Sequence, residues 1–389
     1  METLGQRQEI ARYLLSRGTQ PFDVELEPDL EGVPRDALVS AELPLPYPAG
    51  LAPTPRPIDP PPDPGAPLPR ADVVVITWTV DEQDALCDVF TPKVGRARWY
   101  RYNRNFAAYE PRIRGGAPAR QAQRLGSYFP TAIGKRSVLC FKSELHLNQD
   151  GVSTGTGTAT LPVKDLFAQI IAEVQPSLVL TIGTSGSVFE GFTLGDVVVT
   201  RAARFRCHQE FRNEPFNDRT FTSDWKIPTR QFRKAEQLMQ RFVDDLAEPP
   251  VGPPTKRYLG DAKLLRTPAN RPRIRLDGRD MPAFHPILTT DYFEYGTSAN
   301  HLDAEGAAVE MGDAVLGLVC SELEHPPRWA VVRNMSDPLI NGDLPARDYH
   351  LNLQTTWAVG YYTAYGYYTS VTGALAAWAI VAGLPDGAG

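Results

Sequence analysis

Cysteine is scarce in this chain, with four residues in 389: Cys87, Cys140, Cys207 and Cys320, all far apart. That spacing excludes a disulfide framework and fits no zinc motif, so the thiols read as buried side chains and the setting as a reducing cytoplasm. Neither a metal site nor a cofactor is expected. An excess of positive charge is also missing. The 40 Lys and Arg stand against 46 Asp and Glu, a net charge of −6, which argues against a nucleic-acid partner. The opening residues lack a basic segment running into an apolar one. Positions 1–18 instead alternate charged and apolar residues at helical spacing, so a short amphipathic helix is expected and a targeting peptide is not. Charge of both signs is missing from residues 351–385. Such a stretch is long enough to tempt a membrane reading, but its threonines, tyrosines and glycines make it a poor span, and no membrane partner is expected.

What is present is material for a core. With 42% hydrophobic and 22% charged residues, the chain has enough for one large domain or two smaller ones. Residues 44–69 hold 12 of the 36 prolines, a run that can make neither a ladder nor a helix. The expected organisation is therefore an N-terminal helical extension over 1–43, a Pro-rich linker over 44–70 acting as a tether or a surface strap, and a domain over 71–389 to which any chemistry is left. From residue 71, apolar runs of strand length recur: "ADVVVITW", "SVLCF" at 137–141, "SLVLTIG" at 177–183, "GDVVVTRAARF" at 195–205 and "RWAVVRNMSD" at 328–337. Helical stretches lie between them, "DEQDALCDVF", "LPVKDLFAQIIAEV" and "EGAAVEMGDAVLGLVCSEL". The alternation predicts an α/β fold with a mixed, mainly parallel central sheet flanked by helices.

In such sheets function gathers at the carboxyl ends of strands. Several candidates stand there. Asp81 and Glu82 follow the first strand, the small-residue turn "GTSGS" follows the third, and the last run ends on Ser336 and Asp337. Between 93 and 124 an insertion carries eight arginines and one lysine against the single acid Glu110, with Trp99, Tyr100, Tyr102, Phe106 and Tyr109 interleaved. Arginine forks such as Arg101 and Arg104 suit phosphate groups, while the plainer reading is a solvated surface hairpin or subunit contact.

Taken in order, "TVDEQDAL", "GTSGSVFEGFTLGDVVVT", "TTDYF", "AAVEMGDA" and "VVRNMSD" resemble the nucleoside phosphorylase and nucleosidase superfamily, including the methylthioadenosine/S-adenosylhomocysteine nucleosidases and the AMP nucleosidases. The resemblance covers roughly residues 71–385. It implies a nucleoside phosphorylase-like fold and a purine nucleoside or nucleotide as small-molecule partner. Asp337 then protonates the leaving base and Glu82 activates water. Thr184, Ser185 and Gly186 line the pocket with backbone amides, Phe293 stacks on the base, and Met311 lies under the sugar. Lys142 and His146 fall where the family places its second-strand ligand loop. A closing helix is implied for the uncharged C-terminal stretch, buried on the sheet or on another subunit, and its aromatic stripe suggests a homo-oligomer.

The turn after the first strand lacks the Gly-Asp-Pro and nearby Arg that phosphorylases of this superfamily usually carry, so hydrolysis is preferred to phosphorolysis. A non-catalytic nucleotide-binding or regulatory module of the same fold is the reading from another class. One departure bears on the sugar: the glutamate that the resemblance implies after the methionine is Gly312, so either Glu310 or Asp313 takes its place or the sugar is bound differently.

Overall fold

The computed structural model describes residues 43, 45–245, 271–282, 284–294, 296–340, 342, 347–348 and 351–385. The amphipathic helix expected over 1–18 lies outside them. The strands of the main sheet are β1 (Val73–Thr77), β2 (Tyr100–Tyr102), β3 (Gly126–Ile133), β4 (Arg136–Ser143), β5 (Leu178–Ser187), β6 (Val197–Thr200), β7 (Ala202–Phe205), β8 (Thr220–Thr222), β9 (Ile274–Leu276), β10 (Ile287–Thr289), β11 (Ala308–Glu310) and β12 (Arg328–Asp337). A two-residue strand at Thr54–Pro55 adds a thirteenth, against the edge of β3. The helices that bear on the site are α1 (Val80–Phe90), α2 (Pro162–Val174), α3 (Phe232–Asp245), α4 (Asp313–Glu322) and α5 (Leu353–Gly383).

The sheet is mixed. β1 pairs in parallel with β4 and β5, β5 with β12, and β10 with β7 and β11, while β11 meets β5 antiparallel. β1 and β5 are buried along most of their length because helices cover both faces, which explains their unbroken Val, Ile and Leu runs. On β12 the faces divide by alternation. Val331 and Met335 join the core with α2 and α4, while Ala330 and Val332 join the core with α1 and α5.

Two expected elements differ. The run at 195–205 is two strands, because Arg201 leaves the ladder and pairs with Asp277 at 3.0 Å; β6 then pairs with β12 and β9, and β7 with β8 and β10. The expected helix over 305–323 begins only at Asp313. Ala308 and Val309 are held in the sheet by β10 on one side and β5 on the other, so sheet pairing overrides the local helical pattern.

The Pro-rich stretch lies along the domain as a strap. Leu68 is buried, Tyr47 packs on Trp378 with ring centroids 5.1 Å apart, and Trp378 Nε1 donates to the Leu51 carbonyl at 2.9 Å. α5 packs within its own chain against α1, α3 and β12, burying Val371, Leu375, Trp378 and Ile380. Each such large apolar side chain contributes about 1.5–3 kcal/mol. No helix among the described residues is long and apolar enough to cross a membrane.

Candidate active site

The cleft originates in an interruption of one sheet edge. On the edge of β5 that faces β1 and β11, Leu178–Thr181 pair with β1 and Gly186–Ser187 with β11. Residues 182–185 lie between, a gap of roughly 13 Å at strand rise. β1 and β11 run in opposite directions, so their carboxyl ends, Thr77 and Glu310, approach this gap from its two sides. The cleft here has about 770 Å³ of space including its mouth, and is lined by Trp78, Thr79, Glu82, His146, Thr184, Ser185, Gly186, Phe293, Glu294, Val309, Glu310, Met311, Arg333, Asp337 and Tyr362.

Glu82 fills the gap. Thr79 and Glu82 form a capping box at the start of α1, which brings the glutamate back over β1. Its Oε2 accepts from Thr77 Oγ1 at 2.8 Å and from the Trp78 and Thr79 amides at 3.0 Å. Its Oε1 accepts from the amide of Thr184 at 2.8 Å and its hydroxyl at 2.9 Å. Burial alone raises the pKa of this carboxyl, but the Arg333 charge and the amides of Thr184, Thr79 and Trp78 outweigh it and hold the group below its ordinary value. Glu82 is therefore an anion whose two oxygens are engaged by five donors. Gly183 makes the packing possible, since a Cβ there would stand 2.7 Å from Glu82 Oε1 and closer still to Arg333 Nη1.

Arg333 is the second fixed charge. It donates to both oxygens of Asp313 at 2.7 Å, to the Thr184 carbonyl at 3.1 Å, and stacks 4.8 Å from the Trp78 ring centre. Glu310 lies 3.1 Å from Arg333 Nη2, while its Oε1 accepts from Thr289 and from the Asp313 amide at 3.0 Å. Burial and then the Asp313 charge push the Glu310 pKa up to about 8, despite Arg333. The guanidinium thus serves Asp313 first, and burial beside that carboxylate makes Glu310 hold a proton more tightly than an ordinary carboxyl.

Asp337 ends β12. The register against β5 shifts between Met335 and Asp337, a bulge of the kind that re-aims a side chain, and Asp337 is 8% exposed at the cleft. The opposite wall is the 291–294 loop. Asp291 pins it by accepting from the amides of His208, Gln209 and Phe211, and Arg206 grips Tyr292 Oη at 3.0 Å and Glu294 at 2.5 Å. Phe293 is thereby presented to the cleft on a rigid support.

The structure brings together Glu82, Asp337, Thr184, Ser185, Gly186, Phe293, Glu310, Met311 and His146. It does not bring Arg101, Arg104 or Lys142 into the lining. Arg101 donates to the Ala122 carbonyl at 3.2 Å, Arg104 pairs with Glu173 at 3.1 Å, and Lys142 pairs with buried Glu144. Most other arginines of the insertion are likewise absorbed, Arg96 by Asp84, Arg112 by Asp165, Arg114 by Glu210 and Arg124 by Glu144. Ser185 turns its hydroxyl to the Asn334 carbonyl at 3.1 Å. Asp313 is bound by Arg333 and cannot also serve a sugar.

His146 is neutral near pH 7, because burial and then Lys142 depress its pKa to about 4. Beside it Asp150 is raised to about 7, chiefly by burial, while accepting from the His146 amide. Sequence reasoning missed Arg333, whose charge inside an apolar strand was the available signal. It also missed Trp78, Thr79, Glu294, Val309 and Tyr362. Tyr362 reaches the cleft from α5 and donates to Thr79 Oγ1 at 3.0 Å, a contact across 283 positions that no local pattern reveals. Among the described residues, no group of His, Cys, Asp and Glu is arranged to hold a metal ion.

A mixed sheet with a cleft at the carboxyl ends of its strands, closed by an Arg-Asp pair and a strand-end aspartate, defines an α/β protein of the nucleoside phosphorylase-like class. Residues 152–355 match the phosphorylase superfamily, and the chain belongs to that family. Among solved structures it is similar to a 5'-methylthioadenosine/S-adenosylhomocysteine nucleosidase from Neisseria meningitidis in complex with methylthio-immucillin-A. The identity is 13%, covering 80% of this chain and 100% of that one, with a TM-score of 0.41. It is also similar to the futalosine hydrolase of Helicobacter pylori, at 10% identity over 79% and 96% of the chains with a TM-score of 0.39. A third is the 5'-methylthioadenosine nucleosidase of Arabidopsis thaliana, at 14% identity over 76% and 93% with a TM-score of 0.37. No curated protein matches the sequence.

Proposed function

We propose that this protein hydrolyses the N-glycosidic bond of a purine nucleoside. The observation that carries the reading is the convergence in one cleft of Asp337 and Phe293 with the Glu82–Thr184–Arg333 corner. Phe293 offers a flat apolar face to the base. Asp337 gives a proton to the departing base, so that it leaves neutral while positive charge builds on the sugar. The anion of Glu82 lies on the other side of the scissile bond. With its oxygens engaged, it acts on water through Thr184, whose hydroxyl donates to Oε1 and so turns its lone pairs to a water in the cleft. Water adds to the sugar carbon as the bond to the base breaks, its proton passing to Thr184 Oγ1 while the Thr184 hydroxyl proton moves to Glu82 Oε1, and the products are free base and free sugar.

Charge decides between water and phosphate. Among the described lining residues there are four carboxyl groups, those of Glu82, Glu294, Glu310 and Asp337, and the cation is Arg333, already held by Asp313. An inorganic phosphate or a nucleotide's phosphate meets no uncommitted cation there, and the insertion's paired arginines stand outside the cleft. The site therefore suits water as nucleophile and a substrate without phosphate.

Incubation with a panel of purine nucleosides and their 5'-monophosphates, with and without inorganic phosphate, tests this. Free base is expected from a nucleoside at a rate independent of phosphate. Strict phosphate dependence with sugar 1-phosphate as product overturns the hydrolytic mechanism.

A further inference from the structure

The end of the cleft formed by β1 and α5 carries hydrogen-bonding chemistry that the hydrolytic step leaves unused, and its interpretation rests on the nucleosidase reading. Thr79 and Tyr362 both line the cleft there, each half-buried. Thr79 Oγ1 accepts twice, from the Glu82 amide at 3.4 Å and from Tyr362 Oη at 3.0 Å. A hydroxyl has two acceptor sites and one proton. With both sites taken, the Thr79 proton is the function left over, and no acceptor among the described residues receives it.

Both partners are held in place. The Thr79 amide donates to Glu82 Oε2 at 3.0 Å as part of the capping box, which fixes the residue at the mouth of α1. The Tyr362 ring lies along α5 over Gly366, where a Cβ would stand 3.2 Å from Cε2. The place of this donor along the substrate follows from the two sides of the gap in β5. With the base at Phe293 and the reacting sugar carbon at Thr184, the sugar has two further ends, its ring hydroxyls and C5'. Glu310 and Met311 line the β11 side, and Glu310 is the carboxyl left there for ring hydroxyls once Arg333 has taken both oxygens of Asp313. C5' then turns to the β1 side, where Thr79 stands.

We propose that Thr79, its hydroxyl oriented by Tyr362, reads the 5'-hydroxyl of the substrate, so that the protein prefers purine nucleosides with a free 5'-hydroxyl to 5'-deoxy and 5'-thioether nucleosides. A hydroxyl oxygen accepts the Thr79 proton, a thioether sulfur is a weak acceptor, and a methyl group is none. A 5'-phosphate also accepts, but it brings its charge into a cleft lined by four carboxyl groups.

The test compares kcat/KM for adenosine and inosine, each with its 5'-deoxy and 5'-methylthio analogues. The wild-type protein is expected to prefer the 5'-hydroxyl compound by about tenfold or more, the effect of a lost hydrogen bond whose donor stays unpaired. Parity, or preference for either analogue, overturns the proposal. In the variants the ratio is the readout, because a merely structural loss lowers all the rates alike. Thr79→Ser keeps the hydroxyl and is expected to keep the preference, whereas Thr79→Val keeps the shape without it and is expected to lower the preference by about tenfold. Tyr362→Phe leaves the cap intact but frees the Thr79 hydroxyl to rotate, and is expected to lower the preference by about threefold or more. An unchanged preference in folded Thr79→Val, or in Tyr362→Phe should the valine variant not fold, removes the pair from the role. If the wild type cleaves none of these compounds, the hydrolase reading fails separately, and calorimetric Kd values for the same compounds decide the inference. A 5'-hydroxyl compound bound about tenfold tighter supports it, while equal affinities, or binding of none, overturn it.

Discussion

Asp337 and Glu82 are carboxyl groups of one cleft, yet their surroundings give them different work. Glu82 is saturated with donors and stays ionised, whereas Asp337 stands at a strand bulge on the cleft. If Asp337 delivers the proton, Asp337→Asn keeps shape and polarity but slows kcat by about 10²- to 10⁴-fold with a much smaller change in KM. Steady-state kinetics on the released base check this, and near-normal turnover in a folded variant refutes the role. Asp150 makes a separate, pH-dependent prediction. Its folded pKa of about 7 lies above the ordinary 3.8, so the folded state keeps a proton that the unfolded state has lost. Stability from this group therefore falls as pH rises from about 4 to about 7. Asp150→Asn abolishes that slope while keeping an acceptor for the His146 amide, so the Tm of the variant relative to wild type should rise from pH 5 to pH 8. His146 itself contributes the opposite slope between about 4 and 6.5, and it is present in both proteins. A flat or falling difference in melting temperature would count against a buried, protonated Asp150. At this scale the place of Asp337, Phe293 and Met311 at the cleft was legible because each sits in a short linear pattern. Arg101 and Arg104 fall outside the cleft lining, and counting arginines could not foresee their local partners, the Ala122 carbonyl for Arg101 and Glu173 for Arg104.

Helices and strands were read from the same physics that forms them. The Thr79-x-x-Glu82 box starts α1 where the acidic turn was expected, and the long apolar runs became β1, β5 and β12. The three residues of β11 were lost in a helical pattern because their pairing partners, Ser187 and Ile287, are distant in sequence or unmarked by it. Thr79 joins three elements, since its hydroxyl accepts from the Glu82 amide and from Tyr362 on α5. Thr79→Ala should therefore cost about 1–2 kcal/mol in urea unfolding, the upper part of the range for an N-cap. Loss of activity should exceed that of Thr79→Ser, which retains the acceptor; equal activities would show that the cap does not shape the cleft.

Across the whole molecule, the break between β1 and β11 on the edge of β5 creates the site, and no composition or periodicity reports it. That an α/β region followed residue 70 was legible from the change in pattern, but the choice between tether and strap for the stretch before it was not, because proline content states stiffness and not destination. Leu68 is 4% exposed where the strap enters the core. Leu68→Ala should lower unfolding free energy by about 2–5 kcal/mol, as for a core leucine. A change below about 0.5 kcal/mol, the level of surface substitutions, would return the strap to a passive tether.

The bond between Tyr362 and Thr79 also sets a clock. The two residues are made 283 positions apart, which at about 5–20 residues per second separates them by roughly 15–60 s of synthesis. Glu82 thus waits on the ribosome for the arginine that fixes its charge, the aspartate across the cleft and the tyrosine that closes the wall. The nascent chain cannot assemble the cleft until these later residues emerge, so under the proposed function no nucleoside is cleaved before Tyr362 has left the ribosome.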